Sequence, residues 1–346
     1  MISVLTPFRG AQEDDVSYLE AAPRAIAPRL HEGNLVILES RSPVGATEKA
    51  AGWLADARQD LTFPHTHGKA SDTRIGHCPE RVLPSHIHWG LYQNAHVICG
   101  MPRKYSKTVP ALYGIFVAGE CIVIDRRTAE MSKLTENHFR DVNIAPRNEL
   151  SMLCEKLYLD VCELIKLSHR HPRVTILTPG PGVGGHSIAV DPWFIVSSAP
   201  EQATLVRNAR KMNSLTLESA MEQLHRKIDP AIEVKGLSSD KNLRIAFYSI
   251  AFKSNIDDLH ERPSLQIVEK MAKRFGGEAQ MVEPNIDQLR FSVDTRNLRT
   301  PVEVEADIRV FLVKHPQLVD IAYNFESDPD LCGLCDPKAQ RDLDRF

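Results

Sequence analysis

A histidine, a serine and an aspartate, His186, Ser187 and Asp191, sit in a stretch with four glycines and three prolines. It reads P-G-P-G-V-G-G-H-S-I-A-V-D-P-W-F-I-V from Pro179 to Val196. Glycines let a backbone approach a ligand closely and take positive φ, and prolines freeze the path between them, so the loop is tight and rigid. Rigid loops with polar side chains at fixed offsets are where binding and catalysis concentrate. Gly180 to Gly185 also satisfies G-x-G-x-x-G, behind a strand-like V-T-I-L-T run. A dinucleotide fingerprint, however, opens into a helix and has an acidic residue ending a second strand roughly 20 residues on. Here the glycines lead to Asp191-Pro192 and an apolar run, and Glu201 follows Pro200 at what reads as a helix start. A ligand loop is expected, not a fingerprint.

Lys133 and Asn137 are four apart in a helical pattern, so they share one side of that helix. Taken alone, Lys133 reads as a solvated helix charge. His65, His67, His77, His86, His88 and His96 crowd one loop-rich region, but no acidic or cysteine partner recurs at a ligand-like offset, so surface histidines and no metal are expected. Seven scattered cysteines in apolar runs read as buried reduced thiols, and Cys332 and Cys335 as an incidental C-x-x-C.

The elements that must position these residues alternate. Strands are expected at Ile2 to Leu5 and Asn34 to Glu39, with strand ends at Cys78 to Val82 and Val97 to Gly100. Helices are expected from Ser17 to Leu30 and from Thr47 to Arg58. This β-α-β rhythm predicts a parallel sheet. A helical pattern runs from Arg127 to about His169, with Pro146 predicting a kink or break near 141–145. A long helix over Glu201 to Ile228 suits a connector or dimer surface, and Pro230 with the polar segment 236–242 marks a boundary. A second α/β pattern follows: a strand from Leu243, a helix over Ser264 to Phe275, a strand ending at Glu283, and a helix-strand unit at 302–313. At 346 residues there is room for two domains; a net charge of -3 argues against nucleic acid as a partner. No apolar run approaches the ~20 residues of a membrane span, and the first residues lack a signal peptide's features, so no membrane association and a cytoplasmic location are expected.

Seven motifs in order then carry a resemblance: T-P-F-R-G (6–10), E-S-R-S-P-V-G-A-T-E (39–48), C-P-E-R-V-L-P (78–84), T-A-E-M-S-K-L-T-E-N (128–137), R-H-P-R-V (170–174), G-P-G-V-G-G-H-S-I-A-V-D-P-W-F (180–194) and A-F-K-S-N-I-D-D (251–258). Together they resemble the UDP-glucose/GDP-mannose dehydrogenase family. The resemblance implies an α/β chain: a partial N-terminal Rossmann-like domain for NAD at 1–126, a central helical dimerisation region with the substrate loop at 127–229, and a C-terminal Rossmann-like UDP-binding domain at 240–346. It implies oxidation of a UDP-sugar's C6 hydroxyl to a carboxylate with two NAD, for surface polysaccharide synthesis, by a homodimer joined through the 201–228 helix. Lys133 and Asn137 match the oxyanion and water-positioning pair, Asp191 the carboxylate assisting the nucleophile, and Glu80 the acidic residue of the hydrolysis step. Gly182, Gly184, Gly185 and His186 match the sugar-nucleotide loop, Arg173 the arginine offered across the dimer, and Lys253 the lysine of the C-terminal substrate site.

Departures accompany the matches. Ser187 stands where the family has its nucleophilic cysteine, and a hydroxyl is a far weaker nucleophile that forms an ester instead of a thioester. The sequence begins about where a later strand of the family's first domain would lie, without that domain's opening G-x-G-x-x-G, which leaves NAD to Pro43, Val44, Gly45 and Thr47. An impaired or inactive dehydrogenase is expected, or else a non-catalytic chain that binds UDP-sugar or pairs with a full-length homologue.

Overall fold

A computed structural model describes residues 1–6, 8–9, 13–82, 87–101, 108–177, 180–183, 186–234, 243–251, 263–275, 279–284, 298–299, 304–323 and 328–332. The chain divides into two compact units, one of residues 1–140 with 190–207, the other of 141–189 with 208–346. In chain order the elements are β1 (Phe8–Arg9), β2 (Glu13–Asp14), α1 (Ser17–Ile26), β3 (Leu35–Leu38), α2 (Ala46–Ala57), α3 (Pro64–His67), β4 (Arg74–His77), α4 (Ile87–Gln93), β5 (His96–Met101), α5 (Thr108–Tyr113), β6 (Cys121–Val123), α6 (Arg126–Lys156), α7 (Val161–Ser168), α8 (His186–Ser198), α9 (Thr204–Val234), β7 (Ile245–Tyr248), α10 (Pro263–Phe275), β8 (Ala279–Val282), β9 (Leu298–Arg299), β10 (Ile308–Phe311) and α11 (Val319–Tyr323).

In the first unit a four-stranded sheet has the order β3-β4-β5-β6. β3 runs parallel to β4 and β5 parallel to β6, but β4 and β5 are antiparallel, so the sheet is mixed and not the parallel one expected. The expected first strand shrinks to a single parallel bridge between Ile2 and Leu38. Apolar strand residues pack against α1 and α2, with Leu19, Val36, Leu38, Ala51, Leu54 and Ile75 buried together. A separate cluster around Phe194 joins Leu134 of α6 with Val190, Ile195 and Val196 of α8.

In the second unit β10-β7-β8-β9 form an all-parallel sheet, as a second α/β pattern requires; of the helix-strand unit expected at 302–313 the described residues 304–307 are not helical and only the strand β10 forms. β7 reads I-A-F-Y with every residue buried, the continuous apolar run that parallel strands covered on both faces require. Leu224 and Ile228 of α9 and Ile267 and Met271 of α10 pack with Ile245 and Phe247.

Two prolines behave differently from expectation. α6 runs without interruption through Pro146, and α9 runs through Pro230. Pro146 is exposed, while Ile144, Ala145 and Asn148 beside it are buried. Burial of these flanks outweighs the one hydrogen bond that a proline removes. The helical pattern breaks instead after Lys156: Tyr158 takes a φ of 57° and Asp160 caps α7 by accepting from the amides of Cys162 and Glu163.

Candidate functional site

The loop after β3 is pinned before any functional group is considered. The Val4 amide donates to Ser40 Oγ at 2.7 Å, and Thr6 Oγ1 donates to the Arg41 carbonyl at 2.6 Å. This fixed backbone aims the Arg41 side chain at Asp191, with Nη1 3.0 Å from Oδ1. Asp191 is fully buried in α8, and its Oδ2 accepts from Asn137 Nδ2 at 2.5 Å. A buried carboxylate needs both charge balance and hydrogen bonds, and Arg41 and Asn137 supply them.

Lys133 precedes Asn137 by one turn of α6 and is half-buried. Burial lowers its proton affinity; the charges of Glu80, Glu136 and Asp191 act the other way, and Arg41 adds to the lowering. Glu136 is itself paired with Arg81 at 2.5 Å. Glu80 is exposed and its carboxylate accepts from the Val82 amide. Lys133, Asn137, Asp191 and Glu80 are therefore neighbours in the first unit. Ser187 lies in the first turn of α8, half-buried, four residues before Asp191 along that helix.

Of the substrate residues, Gly182 takes a φ of +149°, and a Cβ on it would stand 2.9 Å from the ring of Pro263. Both observations require glycine. Arg173 is exposed, and its amide donates to His171 Nδ1 at 3.3 Å. His186 opens α8 but its side chain, like Gly184, Gly185 and Lys253, lies outside the described residues. Because α8 begins directly behind the glycines, the absence of a following helix is no longer a ground for rejecting a dinucleotide fingerprint. The other half of that motif is missing all the same: the run 174–177 is not a strand.

Pro43, Val44, Gly45 and Thr47 form the entry to α2. There the Glu130 carboxylate accepts from the Gly45 amide at 2.6 Å, the Thr47 amide at 2.8 Å and the Thr47 hydroxyl at 2.6 Å. Pro43 gives its carbonyl to the Ala46 amide, and Val44 packs on the Phe194 cluster. An internal anion thus already serves this helix N-terminus, and a phosphate placed there would meet like charge. These donors do not fit the diphosphate of NAD.

Two of these residues escaped the sequence. Arg41 stands inside a quoted motif, but nothing in the spacing ties it to a partner 150 residues away. Glu130 lies in T-A-E-M-S-K, where only the lysine attracts notice. The histidine cluster also differs from expectation: His77 and His96 are buried, not surface residues. Among the described residues no group of three or more His, Cys, Asp or Glu could hold a metal ion.

Residues 1–117 match the UDP-glucose/GDP-mannose dehydrogenase family, NAD binding domain, and residues 127–215 match its central domain. The chain belongs to the UDP-glucose/GDP-mannose dehydrogenase family. It is 50% identical over 320 residues to the NDP-N-acetyl-D-galactosaminuronic acid dehydrogenase of Ralstonia nicotianae, covering 92% of this chain and 73% of that protein. To the UDP-N-acetyl-D-mannosamine dehydrogenase of Escherichia coli K12 it is 49% identical over 322 residues, covering 92% of this chain and 76% of that one. Among solved structures, the UDP-D-ManNAc dehydrogenase of Pyrococcus horikoshii aligns with a TM-score of 0.77 at 32% identity, over 97% of this chain and 77% of that chain. The family's fold, an α/β chain with Rossmann-type domains, is the one seen here. Among the described residues no helix is long and apolar enough to cross a membrane.

Proposed function

We propose that this member of the family is a UDP-N-acetyl-D-mannosamine 6-dehydrogenase in descent and substrate, impaired at the second of its two oxidations by Ser187. The observation that carries this reading is that Asn137 is hydrogen-bonded to the buried Asp191 and that Lys133, one turn away, feels the charges of Asp191 and Glu80, the polar set that C6 oxidation needs. Relatives that share about half the sequence are named for UDP-N-acetyl-D-mannosamine or an NDP-N-acetyl-D-galactosaminuronic acid.

Lys133 Nζ and the Asn137 amide would stabilise charge on the substrate oxygen, and Glu80 would serve the hydrolysis step. NAD, which the family's first domain takes up, would supply the oxidising equivalents, held by groups other than the Gly45 and Thr47 donors that Glu130 already engages. Ser187 Oγ would add to the C6 aldehyde as a hemiacetal, but as an alcohol it is a poor nucleophile and its ester a poor acyl donor. Among the described residues, burial pushes the thiols of Cys78 and Cys99 up to about 12 and raises those of Cys121 and Cys154 as well.

The test is NADH absorbance from folded protein given NAD and UDP-N-acetyl-D-mannosamine, beside the galactosamine analogue. About one NADH per sugar is expected from Ser187 and two from the Ser187→Cys variant; no NADH from either would sink the reading. Arg173, Gly182, Gly184, Gly185, His186 and Lys253 are kept as the substrate set, and the chain is read as a homodimer through 201–228. A non-catalytic role is favoured by the engagement of Gly45 and Thr47 with Glu130. In that case calorimetry shows UDP-sugar binding without turnover, or a full-length homologue co-elutes with the chain.

A further inference from the structure

We propose that Arg41 is a positioning residue of this site: its guanidinium clamps Asp191 against Asn137 and places a second cation beside Lys133. The geometry is that of a built contact. The Arg41 backbone is tied by Thr6, its side chain is 15% exposed, and it reaches a carboxylate with no exposure at all. A guanidinium delivers its charge in a rigid, planar fork, so it orients a carboxylate as well as neutralising it.

The consequence falls on Lys133. Among the described residues four charged groups bear on it: Glu80 from the segment after β4, Glu136 from its own helix, Asp191 from α8 and Arg41 from the loop after β3. Asp191 alone would hold Lys133 as an ammonium. With Arg41 on Asp191, that carboxylate is balanced by another cation and holds Lys133 less firmly as an ammonium, so Arg41 tunes the charge that Lys133 brings to the substrate oxygen. Arg41 thus acts through two other residues without touching substrate. The inference rests on the proposed function only in making Lys133 part of a substrate site.

The test needs neither substrate nor NAD, so its failure is separate from a failure of that reading. Lys133 is competitively acetylated across a pH series, beside the exposed Lys49 as internal reference, and each is quantified by peptide mass spectrometry. Arg41→Gln is expected to move the Lys133 midpoint up by about one pH unit, because a cation whose charge opposes the ammonium is removed. Arg41→Lys, which keeps the charge, is expected to restore the parental midpoint. Asp191→Asn is expected to move it down, which reads the carboxylate that Arg41 balances; if Arg41→Gln does not fold, Arg41→Met is titrated in its place with the same upward shift expected. An unchanged midpoint in folded Arg41→Gln or in Asp191→Asn overturns the proposal, as does an Arg41→Lys protein that titrates like Arg41→Gln.

Discussion

His77 is buried to 1% exposure in β4, where the Leu38 backbone offsets only part of the cost of desolvating a charged ring. Burial lowers its pKa from 6.5 to about 4. The unfolded chain therefore takes up a proton that the folded chain refuses, and stability is lost as pH falls from 6.5 towards 4. Over that window His77 alone costs about 3 kcal/mol. The expected outcome is that His77→Leu flattens this fall, seen as a smaller difference between urea midpoints at pH 7.5 and pH 5 than in the parent. Comparing variant with parent cancels Asp141, whose carboxyl is pushed up to about 6 by burial and so works in the opposite sense. Glu130 carries a second expectation at this scale. Glu130→Ala leaves the Gly45 and Thr47 donors without their acceptor and should lower unfolding stability by about 3 kcal/mol in a denaturant titration.

Pro146 bears on the behaviour of a whole helix. Its ring is exposed and α6 continues on both sides, so replacing it leaves no cavity and returns an amide donor to the helix ladder. Pro146→Ala is expected to raise stability by about 1–3 kcal/mol, read as an upward shift of the thermal midpoint. Gly182→Ala should do the reverse. A side chain at φ +149° and 2.9 Å from Pro263 must displace the loop from α10, at a cost of about 1–3 kcal/mol. α6 also shows why propensity misjudged its boundary. Asp141 pairs with Arg210 at 2.5 Å and accepts from Asn213, which in turn is bonded to Asn148, so contacts with α9 brace the helix on both sides of the proline.

At the scale of the whole molecule the order of elements was largely legible. The periodicity of α1, α2, α9 and α10 and the apolar runs of β3, β7 and β8 depend on neighbours a few residues away, and these appear close to where the sequence places them. The mixed sheet was not legible, because strand direction depends on how the connection between β4 and β5 crosses, not on either strand's composition. The start of α8 was misread for a related reason: glycine and proline content points to a loop, yet packing of Val190, Phe194 and Ile195 draws the segment into a helix.

The sequence by itself determined the family, through motifs spread over residues 6 to 258, and offered Lys133, Asn137, Glu80, Asp191 and Ser187 as the candidate site. Only the tertiary structure decided which groups balance those residues. Arg41 meets Asp191 across 150 positions and Glu130 meets Thr47 across 83, while His77 is sealed from water by strands on either side. Motif spacing records which side chains are present; charge balance and desolvation depend on distance and burial, and these exist only once the chain has folded.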